Sequence, residues 1–165
     1  MVAGFSRANI KLNDFLNASG IATVMTSDMP IVAERSDYFG APTAPRVAGS
    51  NLFGSNGTGV RWSFSGGDTV GTNEFLLLYN PSAVTIPVDA TFYGSNGITV
   101  TQRILVPPTV RYSVDVNTLA PSFAPLHNAV HGAVLQSASD EGFVAEQTIF
   151  APDHSTLRST QGLAQ

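Results

Sequence analysis

Apolar residues along this chain alternate with polar ones in short runs, and no stretch sustains the three-to-four spacing of an amphipathic helix. The runs fall at residues 9–12, 21–26, 31–39, 60–64, 74–79, 84–93, 98–106, 110–116, 133–137 and 143–150, all rich in β-branched and aromatic side chains. Clusters of Gly, Pro, Asn and Ser separate them, so the pattern predicts strands joined by turns. The best helical candidate, 12–16, is no more than one turn. Asn96-Gly97 between two alternating runs predicts a hairpin with a type I′ turn. The same Gly-Ser-Asn-Gly tetrapeptide at 54–57 predicts a second reversal. Asn80-Pro81 and Pro107-Pro108 end strands, because proline cannot donate to a ladder.

The chain also repeats itself. Residues 20–34 (GIATVMTSDMPIVAE) align with 132–146 (GAVLQSASDEGFVAE) at a constant separation, Gly20 with Gly132 and Glu34 with Glu146. Just upstream, 7–13 (RANIKLN) aligns with 111–117 (RYSVDVN), where the separation is eight residues shorter. The difference is a longer connection, 120–130, in the second copy. Identities that survive a change of loop length mark a repeat rather than shared composition. The predicted organisation is a partial repeat at 1–42 (its last three strands), a loop at 43–59, and a complete unit at 60–165. The complete unit carries seven candidate strands in about 90 residues, the signature of an Ig-like Greek-key β-sandwich. Three strands cannot easily close a sandwich alone. Residues 1–42 are therefore expected to pack on the complete unit or to meet strands from a neighbouring copy.

Composition narrows the function. Only 12% of residues are charged and the net charge is -4. Seven Arg and the single Lys11 form no basic stripe, which argues against nucleic acid. Without cysteine there is no disulfide framework, thiol nucleophile or thiolate metal site. No apolar run is long enough for a membrane helix, and residues 1–6 do not read as a signal peptide.

Four segments carry a family likeness: 59–64 (GVRWSF), 74–81 (EFLLLYNP), 106–117 (VPPTVRYSVDVN) and 28–35 (DMPIVAER). In order and spacing they resemble DUF5719, a family of tandem repeats in secreted and surface proteins of bacteria. The resemblance implies an Ig-like sandwich, tandem display, export and no established catalytic residues.

The candidate chemistry is sparse. Glu34 and Glu146 recur inside apolar strands, as do Arg7 and Arg111 at strand starts. The expected arrangement is a structural ion pair in each copy, Arg7 with Glu34 and Arg111 with Glu146, since a half-buried carboxylate needs a partner. His127, His131, Asp140, Asp153 and His154 have ligand chemistry but lie in loop sequence without helical spacing, so no metal or cofactor is expected. No Gly-x-Ser-x-Gly elbow accompanies them. Asp68 and Glu74, the nearest carboxylate pair, read as solvated. No catalytic residue is assigned. Trp62, Tyr79, Tyr93 and Tyr112 are candidate aromatics for a sugar surface, with core packing the plainer reading. The expected function is a non-enzymatic extracellular or cell-surface module that associates with copies of itself. The alternative is a carbohydrate-binding or adhesion module that meets polysaccharide.

Overall fold

A computed structural model describes residues 2–18, 20–39, 48–119 and 125–165, without the Phe39 side chain. The strands in chain order are β1 (Glu34–Phe39), β2 (Ala48–Phe53), β3 (Arg61–Asp68), β4 (Asn73–Tyr79), β5 (Ile86–Gly94), β6 (Thr99–Val106), β7 (Arg111–Asp115), β8 (Val130–Ser137), β9 (Val144–Phe150), β10 (Leu157–Gln161) and β11 (Leu163–Ala164). Two sheets face each other. One has the order β10-β9-β4-β7 and the other β11-β3-β8-β5-β6, with every pairing antiparallel. Alternation along each strand sends one set of side chains between the sheets. Trp62, Phe64, Leu76, Leu78, Ile86, Val88, Phe92, Val106, Leu135 and Phe143 form this core.

The chain is thus an all-β sandwich. Strand β7 returns beside β4 after the β5–β6 hairpin, which is a Greek key. The central pairs β4–β7 and β5–β8 follow the immunoglobulin order. The outer strands do not: β3 lies beside β8 and β9 beside β4, an exchange of sheets relative to that order.

Turn chemistry accounts for the joints. Gly94 N–H donates to the Ile98 carbonyl and Gly97 N–H to the Gly94 carbonyl. Only Gly97 of the Asn-Gly pair has positive φ, +81°. The β5–β6 connection is therefore a three-residue loop closed by a left-handed glycine, not the type I′ turn expected. Residues 65–68, read as a turn, belong to β3, where the register slips by one residue between Phe64 and Gly67 to make a bulge. On the outside of the larger sheet, Arg103 Nε and Nη2 each donate to the Asp89 carboxylate at 2.7 Å. That bond, against partial burial and aided by the cation's charge, holds the Asp89 carboxyl below its ordinary 3.8. A depressed folded pKa supports the fold above about pH 4, and that support fades as pH falls through the folded value. Asp89→Asn should lower stability slightly at neutral pH and converge on the parent in acid. Urea titrations of both proteins across that range read the difference, which salt should shrink.

The partial repeat departs from expectation. Residues 9–12 and 21–26 form no strand, and of the run 31–39 only β1 is one. The segment 43–59 is not simply a loop, because it contains β2; its residues 43–47, like 40–42, lie outside the described part. Hairpin β1–β2 nevertheless mirrors β9–β10. Glu34 faces Phe53 as Glu146 faces Gln161. Gly54 N–H donates to the Ala33 carbonyl at 2.9 Å, and Gly162 N–H to the Ala145 carbonyl at 3.3 Å. A 3-10 turn at Leu12–Asp14 likewise stands where Val116–Thr118 stands in the complete unit. Local geometry of the repeat is therefore preserved at the 3-10 turn and at the closing hairpin. The strands that would need a neighbouring sheet are the ones missing.

Candidate interaction surface

Polar side chains gather at two places, one sealed and one open. The sealed group arises because alternation points Glu74, His131 and Gln147 inward, in line with Leu76, Ala133 and Ala145. All three are buried. Glu74 Oε2 accepts from Asp68 N–H at 2.8 Å, and Oε1 accepts from Gln147 Nε2 at 2.8 Å. His131 Nε2 lies 3.1 Å from Oε2, and its ring meets Phe92 edge-on at 5.4 Å. Gly67 must be glycine here, because a Cβ would collide with the His131 ring. Glu74 is thus a core carboxylate, not a solvated one. Its partners tie the β3 bulge to β4, β8 and β9. Enclosed on all sides, this group offers a substrate no access.

The open group lies on the outer face of the four-stranded sheet, where hairpin β1–β2 and residue 20 meet it. Arg35 Nε donates to Asp37 at 2.8 Å, and Arg35 Nη1 lies 2.9 Å from Glu146 Oε2. Ser50 Oγ accepts from Ser159 N–H, joining β2 to β10. Arg111 stands beside this group with its Nε buried and without a hydrogen-bond partner among the described residues. Burial first, and then the neighbouring Arg35, lower the Arg111 pKa from its ordinary value, while Glu146 and Asp37 pull it back. The positive-φ Gly20 passes so close that a Cβ there would lie 3.0 Å from Arg111 Nη1.

The expected ion pairs are corrected accordingly. Glu146 pairs with Arg35, which the hairpin delivers, and Arg111 acts on it only through charge. Arg7 bonds Asn9 at 3.1 Å; both it and Glu34 are exposed, and no ion pair joins them. Two cations therefore share two carboxylates, Glu146 and Asp37, with Glu146 serving both cations. Glu146→Ala should cost more than Arg35→Ala, about 1–3 kcal/mol against under about 1, because only the first leaves half-buried cations short of their counter-charge. Chemical denaturation of the two variants and the double mutant tests the ranking.

The four aromatics do not form one platform. Trp62 is 1% exposed, and its Nε1 donates to the Phe143 and Gly59 carbonyls at 2.9 and 3.2 Å, so it is a core residue. Tyr79 is half-buried on the four-stranded sheet, Tyr93 lies on the outer face of the five-stranded sheet, and Tyr112 lines a groove of about 460 Å³ between β6 and β7. The candidate ligand histidines are also scattered: His131 sits in the core, His127 is exposed and His154 stacks on Phe150. Among the described residues no three His, Cys, Asp or Glu side chains come together as a metal set, and no helix is long and apolar enough to cross a membrane.

Sequence reading gave Glu74 and His131 other roles, and it missed Gln147, Arg35 and Asp37. The first three were marked by their period-two phase with apolar neighbours. Nothing local marked Arg35, whose partner depends on how the hairpin folds back.

The apolar arm is the other feature of the surface. Ile10, Phe15, Val24, Met25, Ile31 and Val32 are all exposed, far more bare apolar surface than a lone domain usually shows.

No family model matches the chain, and no curated protein sequence does. Among solved structures, Thermotoga maritima 1070 aligns with a TM-score of 0.57 at 18% identity, over 67% of this chain and 97% of that one. The Anabaena sensory rhodopsin transducer aligns with a TM-score of 0.47 at 20% identity, over 65% and 100%. The first likeness is one of fold.

Proposed function

We propose that this chain is a non-catalytic module of an extracellular or cell-surface repeat protein, and that it works by associating with copies of its own fold. The observation that carries this reading is the duplicated closing half. Hairpin β1–β2 and its Ala33–Gly54 hydrogen bond copy β9–β10 and its Ala145–Gly162 bond. A sequence that encodes half a unit twice is built for tandem assembly. The likeness to DUF5719 repeats supports the same reading, as does the low charge. Trp62 lies in the core and the three tyrosines lie apart, so nothing in the surface favours polysaccharide over protein as the partner.

Sedimentation velocity from dilute to concentrated protein tests this. The chain should associate with rising concentration, and Ile10→Asp with Ile31→Asp should abolish association while leaving the sandwich folded. A monomer at every concentration would overturn the reading, as would turnover of ester, peptide or glycoside substrates that a single substitution removes.

A further inference from the structure

Three of the arm's bare positions are buried positions in the other copy. Ile10 is 68% exposed, and its counterpart Val114 is 5% exposed. Ile31 is 50% exposed against 0% for Phe143, and Met25 is 50% against 5% for Ser137. In the complete unit Val114 and Phe143 are covered by the core side chains of β3–β6 packed between the sheets, and Ser137 pairs with Val88 of β5. Residues 7–18, 20–39 and 48–54 correspond to β7–β10, and no described strand stands to them as β3–β6 stand to β7–β10.

We propose that residues 7–18 and 20–38 are a docking surface for a four-stranded half-unit with the chemistry of β3–β6, carried by another segment of the same repeat. The inference rests on the repeat reading above and names the partner. Register in the complete unit fixes how the two halves meet. The partner's counterparts of Phe64 and Phe92 flank Ile21, as both flank Ala133. The counterpart of Leu78 lies between Ala8 and Ala33, as Leu78 lies between Tyr112 and Ala145. The counterpart of Trp62 donates its indole N–H to the Ile31 carbonyl, as Trp62 does to Phe143.

Charge supports the same partner. Arg35 occupies the place of Gln147, whose amide donates to buried Glu74. A half-unit carrying a carboxylate at that place gives Arg35 an anion inside the completed sandwich. Arg35 brings Asp37 with it and gives up Glu146, which is then left to Arg111.

The test extends the full chain at its N-terminus. A duplicate of residues 59–110 is joined directly to Arg7, and amide exchange is followed by mass spectrometry in peptides covering 8–12, 20–26 and 30–34. In the parent these amides should exchange like an unfolded segment. In the extended chain their exchange should slow by a factor on the order of 10² or more. Ile10→Asp with Ile31→Asp in the extended chain should return the arm to fast exchange without altering β3–β11. Equal exchange in parent and extended chain overturns the proposal, as does calorimetry showing no second transition. If the parent associates while the extension leaves the arm unprotected, the partner is wrong and the proposed function stands. If the extension protects the arm of a parent that is monomeric, the docking half is right and self-association of this chain is not its function.

Discussion

Glu74→Ala is expected to cost about 3–5 kcal/mol, because it removes the shared acceptor of a sealed polar group. The Asp68 N–H and the Gln147 amide each lose a bond of 2.8 Å, the first part-buried and the second buried away from water. His131 loses the carboxylate 3.1 Å from its Nε2. At this size the melting temperature should fall by more than about 10 °C. Urea titration checks the magnitude. Glu74→Gln keeps an acceptor for one of the donors and should cost less than half as much. Equal stability of Glu74→Ala and the parent would mean that the group relaxes without loss, against the burial seen here.

Trp62→Ala should cost a similar amount, about 3–5 kcal/mol, through the cavity it opens and the indole N–H bonds it removes. Its ring packs against Phe143 with centroids 6.4 Å apart, and its N–H ties β3 to the chain just before β9. The outcome separates two roles. A sugar-binding tryptophan on a surface would be replaceable at little cost in stability. A core tryptophan carries the fold, and its loss should appear as a fall in the urea midpoint whether or not a sugar is present. Trp62→Phe, which keeps much of the volume but not the donor, should fall between the two.

The complete unit was legible because strands such as β5, β8 and β9 are long, alternate cleanly and bury one face. The bulge at Phe64–Gly67 and the phase of Glu74 were written in the same alternation, but polar residues there read more readily as loop. Strand β2, with the sequence Ala-Gly-Ser-Asn-Leu-Phe, and strand β10, Leu-Arg-Ser-Thr-Gln, were not legible. Neither has strong strand propensity; each is held by hairpin pairing, a property of the neighbour rather than of the residues. The converse holds at 21–26. Its sequence is as strand-like as any, yet it has no sheet to enter and stays irregular. The ion pairs failed for a related reason. Repetition identified Glu146 as needing a cation, but the cation came from Arg35 through the fold of the hairpin.

The path of the last residues has a mechanical consequence. After β10 the chain leaves the four-stranded sheet at Gly162 and crosses to the other as β11, where Ala164 faces Trp62 and Gln165 N–H donates to the Arg61 carbonyl. The entry to β3 and the exit from β11 therefore lie side by side at one end of the sandwich. Tension drawn between those two points pulls across the antiparallel ladder rather than along it, so its hydrogen bonds bear the load singly and in succession. Under stretch the unit should peel from β11 inward at low force, whereas strands loaded lengthwise would share the load and resist together.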